Sequence, residues 1–273
     1  MIPARFDYLR VGSADEAIAA LGEHGDDAKL LAGGHSLLPL MKLRLATPGV
    51  LVDIGRVGDL SYVEDRGDTI AIGALTRHAD VQASTTLVAG CPIVAHVAGT
   101  IGDPQVRHRG TIGGSLAHGD PASDLPAVML ALGATLIAAG PDGRRAIAAS
   151  DFFEGFLETA LTANELLVEV QVPRHAGGWS YQKFNRRAQD WAIVGVAAVA
   201  GERTGVGLVN MGPVPLRAEG VEAALASGAD AATAAAAAAE LTDAPADQHG
   251  SAEYRRHLAR VLTRRALVAA GID

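Results

Sequence analysis

Two short stretches constrain this chain more than any others. One runs Leu30-Leu-Ala-Gly-Gly-His-Ser-Leu-Leu-Pro39 and the other Thr111-Ile-Gly-Gly-Ser115, and both set paired glycines among apolar residues. In the first, Ala28 to Ala32 predicts a short buried strand and Gly33-Gly34 a turn. Ser36 predicts an N-cap for a helix from Leu37, with Pro39 in the first turn, where its missing N–H costs little. Adjacent residues without a Cβ reach φ > 0 and let a ligand meet main-chain N–H groups directly. A helix start behind them makes those groups an anion site suited to a phosphate. Either pair alone is equally a tight turn; two of them, each with a serine just beyond, point to one ligand held by two loops. On that reading a side chain at Gly33 or Gly114 would fill the ligand's place.

At 273 residues the chain is long for a single core. Three units are expected, over residues 1–55, 56–176 and 177–273. A balance of 23 basic against 31 acidic residues, net -8, gives no general attraction to nucleic acid or an anionic membrane. The one cysteine, Cys91, excludes a disulfide within the chain and cannot alone hold an iron-sulfur cluster. A redox cofactor here would be organic, or held by other residues. Met1 to Asp7 has no apolar run of the kind that opens a secretory signal. The uncharged runs after Asp80 and Asp124 are interrupted by glycine and proline, so no membrane span is expected. A cytoplasmic protein is the expectation.

Along the chain, Ser13-Ala-Asp-Glu16 is a capping box that predicts a helix to about Leu21, stopped by Gly22 and Gly25. Val50 to Ile54 reads as a returning strand, and Ser61–Glu64 and Thr69–Gly73 as strands around Arg66-Gly67-Asp68. Thr76 is expected to open a helix, with another over Pro92–Gly102 and a third over Leu125–Leu132. Thr111–Ser115 is read as a loop. A hairpin about Pro141-Asp142-Gly143 precedes a strand from Glu165 to Val172. Beyond the His175–Gly178 linker come Trp179–Arg187, strands at Ile193–Ala200 and Gly205–Met211, and alanine-rich helices. Ala231–Glu240 is expected to be a surface helix. In the last helix, from Ser251 to about Ala270, Arg255, Arg256, Arg260, Arg264 and Arg265 read as a solvated face or a subunit contact.

Several familiar sites are weak here. Gly33-Gly34 and Gly205-Val-Gly207 lack the spacing of a Rossmann fingerprint, and there is no Walker sequence. Gly34-His35-Ser36 has Leu38 where a nucleophile elbow needs a small residue. His118, Asp120 and Asp124 match no compact metal motif, so hydrogen bonding is the better reading. Asp124 is either an N-cap for the helix from Leu125 or an acceptor for sugar or ribityl hydroxyls. Arg107, His108 and Arg109 either neutralise a pyrophosphate or sit on a surface turn. Phe184 and Trp191 either fill core or stack on a planar cofactor.

Four segments together resemble one family. They are Ala32-Gly-Gly-His-Ser-Leu-Leu-Pro39, Asp103-Pro-Gln-Val-Arg-His-Arg-Gly-Thr-Ile-Gly-Gly-Ser115, His118-Gly-Asp-Pro-Ala-Ser-Asp124 and Tyr181-Gln-Lys-Phe-Asn-Arg-Arg-Ala-Gln-Asp-Trp191. Over essentially its whole length the chain resembles the flavin-binding medium subunits of molybdenum hydroxylases, and among them those of aerobic carbon monoxide dehydrogenases. The resemblance implies an α+β protein: a two-part FAD-binding module of the p-cresol methylhydroxylase/vanillyl-alcohol oxidase type, followed by a C-terminal α+β domain. FAD would lie in a cleft between the first two units, partly covered by the third. Ala32, Gly33, Gly34, His35 and Ser36, with Thr111, Gly113, Gly114 and Ser115, would hold its pyrophosphate. Asp124 would hold the ribityl chain, Lys183 would lie near the flavin and Trp191 would shield the isoalloxazine. Leu37 and His118 belong to the same set.

The resemblance also implies two partner chains, a small subunit with 2Fe-2S clusters and a large one with a molybdenum cofactor, assembled as a dimer of heterotrimers. Electrons would enter from the iron-sulfur clusters and leave to an external acceptor such as a quinone. No residue of this chain is expected to be catalytic. The assembly is expected in the cytoplasm, free or held to the inner membrane face by its partners.

Overall fold

The computed structural model describes residues 2–273. It opens with β1 (Asp7–Arg10), α1 (Ala14–His24), β2 (Ala28–Leu31), α2 (Leu37–Lys42) and β3 (Val50–Asp53), and the strands form a parallel sheet in the order β1-β3-β2. At the start of α1 the Ser13 hydroxyl accepts from Glu16 N at 3.1 Å, and Glu16 reaches back to Gly12 N at 2.7 Å. The helix carries on through Gly22 to His24 and stops at Gly25, where φ is +54°. Gly22 has room around it, whereas Gly25 takes the left-handed φ that ends a helix without strain. Ala17, Ala20 and Leu21 of α1 share a core with Val50 and Val52 and with Leu166 and Val168 further on, so this unit is completed by the next one.

The second unit comprises β4 (Val63–Asp65), β5 (Thr69–Gly73), α3 (His78–Ala83), α4 (Thr85–Gly90), α5 (Pro92–Gly99), α6 (Pro104–Arg107), α7 (Ile112–His118), α8 (Asp124–Leu132), β6 (Thr135–Gly140), β7 (Gly143–Ala148), a small hairpin of β8 (Phe153–Gly155) with β9 (Glu158–Thr159), and β10 (Leu166–Pro173). Its antiparallel sheet runs β4-β5-β10-β6-β7. Thr76 does not open α3. Its hydroxyl is engaged by the Tyr62 backbone, accepting from N at 3.1 Å and donating to O at 2.9 Å, and the helix starts two residues later. The helix from Pro92 ends at Gly99 rather than Gly102, because Asp103 caps α6 through Val106 N at 2.9 Å. The second glycine pair lies in the first turn of α7, not in a loop.

The third unit is an antiparallel sheet of β11 (Trp179–Phe184), β12 (Val194–Val199), β13 (Gly205–Val209) and β14 (Leu216–Arg217), with α9 (Glu219–Ala226), α10 (Ala231–Ala236) and α11 (Ala252–Ala269). One face packs on α11, through residues such as Val194, Val196 and Leu258. The other face, with Ala197, Val199 and Val209, joins the core of the second unit, where α8 lies across β12 and β13. Gly205 and Gly207 permit that contact: a Cβ there would stand 1.9 and 2.0 Å from the carbonyl oxygens of Ala131 and Ala127. The alanine-rich segment is the expected helix with an exposed face, at Ala232, Thr233 and Ala236, but it breaks after Ala236 into a 3-10 turn, and its other face, with Ala231, Ala234 and Ala238, is buried in the core shared with α11. Arg255 also departs from the solvated face expected for it. It is buried, donating to Asp247 at 2.7 Å and to the carbonyl of Ile193, whereas Arg260, Arg264 and Arg265 are exposed. Among the described residues no helix is long and apolar enough to cross a membrane.

Candidate cofactor cleft

The two glycine stretches meet. The ideal Cβ position of Gly33 lies 2.2 Å from the Arg109 carbonyl oxygen and 2.8 Å from Gly110 Cα, and that of Gly114 lies 3.9 Å from Ala32 Cβ. Beside this junction opens a cavity of about 850 Å³, in the range that holds cofactors. Every residue named above for the ligand lines it: Ala32 to Leu37 from the first unit, Thr111, Gly113, Gly114, Ser115, His118 and Asp124 from the second, and Lys183 and Trp191 from the third.

The stretches offer different chemistry. Gly34 has φ +80°, and the turn closes with Leu38 N donating to Gly34 O at 3.0 Å. Among the described residues the amides of Gly33, Gly34, His35, Ser36 and Leu37 have no acceptor within the chain. Ser36 takes the expected N-cap position of α2 but makes no capping bond there, which leaves its hydroxyl available on the cavity wall. In the second stretch the four amides from Ile112 to Ser115 are already used. Ile112 N donates to Thr76 O at 3.0 Å, Gly113 N to Ala74 O at 2.8 Å, and Ser115 N to Thr111 O at 3.0 Å. Gly114 N donates to Thr111 Oγ1 at 3.1 Å. The run of consecutive free N–H groups suited to an anion is therefore that of residues 33–37. The second stretch contributes the Ser115 hydroxyl, a bare helix surface at Gly114 and the positive end of the helix dipole.

The glycines also differ in what they make room for. At Gly33 a Cβ would strike the Arg109 backbone, not the ligand's place, and at Gly113 it would lie 2.5 Å from Ala74 Cβ. At Gly114 the nearest atom is the Thr111 hydroxyl, at 2.8 Å, and the cavity side is open.

Asp124 is not the N-cap of α8; Ser123 occupies that position. Its carboxylate accepts from Lys183 Nζ at 2.8 Å and from the Tyr181 hydroxyl. Lys183 also donates to Thr100 O at 3.3 Å. Burial pushes the Asp124 carboxyl upward while Lys183 and Tyr181 pull against it, and burial raises the Tyr181 phenol well above its ordinary value. His118 ends α7 before the left-handed Gly119, and burial lowers its pKa. Asp120 accepts from Ala122 N at 2.8 Å, and among the described residues no three His, Cys, Asp or Glu side chains gather into a metal-ligating group.

Trp191 is 58% exposed at the cavity, so it does not fill core. Phe184 instead meets Tyr254 edge-on, with ring centroids 6.4 Å apart. The basic trio lies off the cavity: Arg107 is held by the carbonyls of Ile101 and Gly102 at 3.0 and 3.2 Å, and Arg109 lines a separate depression.

Two residues that sequence reasoning did not place also matter. Tyr181 anchors Asp124, and its alternation with Lys183 on one strand was the available signal. His78 lines the cavity at 4% exposure, with Nδ1 buried and unpartnered, and burial lowers its pKa to about 4, aided by His35 and Arg107. It belongs to no motif, and nothing in the sequence marks it.

A parallel α/β unit and an antiparallel unit that share a phosphate-suited cleft, with an α+β domain on the rim, define a two-part cofactor-binding module. Comparison with known proteins agrees. Residues 4–175 match the family described as FAD binding domain in molybdopterin dehydrogenase, and residues 179–270 match CO dehydrogenase flavoprotein C-terminal domain. The carbon monoxide dehydrogenase medium chain of Hydrogenophaga pseudoflava is 45% identical, over 99% of this chain and 98% of that one. Subunit alpha of the 6-hydroxypseudooxynicotine dehydrogenase complex of Paenarthrobacter nicotinovorans is 40% identical, over 99% and 96%. A solved structure of the Hydrogenophaga pseudoflava carbon monoxide dehydrogenase, in a form lacking the Mo-pyranopterin moiety of its molybdenum cofactor, superposes with a TM-score of 0.96 at 45% identity, covering 99% of each chain.

The chain belongs to the FAD-binding medium subunits of the molybdenum hydroxylases, of the carbon monoxide dehydrogenase type. It is thus an oxidoreductase subunit whose cofactor is FAD. The cleft suits that dinucleotide: unpaired amides at 33–37 for phosphate oxygens, hydroxyls at Ser36 and Ser115, a Cβ-free helix surface at Gly114 and a buried carboxylate further in.

Proposed function

We propose that this chain is the electron-exit subunit of a molybdenum hydroxylase, most simply one that oxidises carbon monoxide. It takes electrons from the iron-sulfur clusters of a small partner subunit, which are supplied by a large molybdenum-cofactor subunit, and passes them to an external acceptor such as a quinone. Two copies of each chain form a dimer of heterotrimers. Bound FAD supplies the redox chemistry, which no side chain here provides. The protein's part is position and electrostatics. The free amides of residues 33–37 and the hydroxyls of Ser36 and Ser115 hold the pyrophosphate, and the surface at Gly114 lets it come close. Asp124, fixed by Lys183 and Tyr181, accepts from the ribityl hydroxyls. Lys183 places a positive charge near the flavin, Trp191 covers its ring, and Leu37 and His118 complete the walls.

The observation that carries this reading is the convergence of two glycine stretches, far apart in the chain, on one cleft. The relatives support the rest, since their names describe a medium chain and a subunit of a dehydrogenase complex. The test is to purify the chain with whatever chains accompany it and to assay metals, flavin and carbon monoxide-dependent bleaching of flavin absorbance. Bleaching is expected only when molybdenum- and iron-containing partners are present. Bleaching of the isolated chain by a substrate would refute the proposed division of labour.

A further inference from the structure

On the other side of the Gly33–Arg109 junction lies a second depression, of about 340 Å³. It shares Leu31, Ala32, Leu75 and Thr111 with the cofactor cleft and lies at the C-terminal ends of the parallel strands, marked by Arg10, Leu31 and Asp53. In parallel α/β sheets that edge is where ligands collect. Arg10, Arg56, Arg77 and Arg109 line it, and Asp53 is the one carboxylate among its lining residues. Asp53 is already engaged, accepting from the Tyr8 hydroxyl and lying 3.8 Å from Arg10. Arg77 donates through Nη1 to His108 O at 2.6 Å and forms no ion pair among the described residues. Arg56 and Arg109 have no hydrogen-bond or carboxylate partner among the described residues.

Three arginines without a carboxylate partner among the described residues therefore line one depression in a chain whose net charge is -8. Like charges held together in this way repel unless an anion sits between them, and guanidinium groups bind phosphate oxygens in pairs of parallel hydrogen bonds. We propose that this basin is a second anion site, distinct from the cofactor cleft, which takes a phosphate-type dianion either free or as a phosphomonoester. It uses the side chains of Arg56, Arg77 and Arg109, whereas the cleft uses the backbone amides of residues 33–37.

The test titrates inorganic phosphate, and separately glycerol phosphate, into the FAD-replete complex at ionic strength held constant with chloride. One saturable site per copy of this chain is expected. Its affinity should fall about tenfold in Arg109→Ala and about a hundredfold in Arg56→Ala/Arg109→Ala, with flavin content unchanged. Arg109→Lys, which keeps the charge but loses the paired geometry, should fall between wild type and Arg109→Ala, and it serves if the alanine variants fail to assemble. Tighter binding of glycerol phosphate than of inorganic phosphate would assign the site to phosphomonoesters, and the reverse to the free ion. Absence of saturable binding, or binding undiminished in the double variant, overturns the proposal. Loss of flavin together with phosphate binding also overturns it, because the arginines would then belong to the cofactor site.

Discussion

Gly33 and Gly114 separate the role of fold from the role of ligand, because the same substitution meets different neighbours. In Gly33→Ala the new Cβ would stand 2.2 Å from the carbonyl oxygen of Arg109 and 2.9 Å from its carbon. Both are backbone atoms, so the two stretches must part by roughly 1 Å, at an overpacking cost of about 1–3 kcal/mol to the protein itself. In Gly114→Ala the methyl displaces the Thr111 hydroxyl, 2.8 Å away, from its bond to the Gly114 amide. Losing that cap costs about 1 kcal/mol, and exchanging glycine for alanine inside a helix returns about as much, so stability should hardly change. The overpacking then falls on the ligand, where 1–3 kcal/mol weakens FAD binding by about five- to 150-fold. Urea unfolding of the assembled complex and FAD titration of its deflavinated form measure the two effects. A lower unfolding midpoint is expected for Gly33→Ala, and an unchanged midpoint with weak FAD binding for Gly114→Ala. Equal midpoints, or unaltered FAD affinity in Gly114→Ala, would refute the contrast drawn between the two stretches.

Two further outcomes are expected. Asp124→Ala leaves the buried Lys183 without its carboxylate partner, and should cost about 3–5 kcal/mol; Asp124→Ala/Lys183→Met should recover much of that loss, whereas additive losses in the double-mutant cycle would show that the pair is not coupled. His78 is neutral at pH 7 in the folded chain and largely so in the unfolded one. Below its ordinary value near 6.5 the unfolded chain takes up a proton that the folded chain refuses until about pH 4. Stability is therefore lost as pH falls through that window, by about 3 kcal/mol in all. Urea midpoints of His78→Phe should decline less steeply with acidification than those of wild type, and parallel slopes would dismiss the effect.

How far the site could be read from the sequence depended on the distance over which each property is decided. The glycine pairs signalled close backbone approach because the absence of a Cβ is local. Whether an amide is free is not local. The N–H groups of Ile112 and Gly113 are taken by carbonyls at Thr76 and Ala74, and no spacing in the sequence reveals that pairing. Asp124 was left between a cap and a ligand acceptor, because its attachment to Tyr181 and Lys183 depends on β11 bringing those side chains to the start of α8. The buried face of the alanine segment was not legible because helix propensity says nothing about burial; small side chains let α10 press against α11. Arg255 escaped its solvated face because Asp247 and the Ile193 carbonyl satisfy it inside the fold.

The passage of α8 across β12 and β13, with two glycines flattened beneath it, has a mechanical consequence. One helix is mortared into both the floor of the cleft, at Asp124, and the sheet that carries Lys183, so the C-terminal domain cannot swing like a door on the His175–Gly178 connection. The part of the rim left to yield locally is the segment from Asn185 to Trp191 that joins β11 to β12, whose residues Gln189, Asp190 and Trp191 line the cleft.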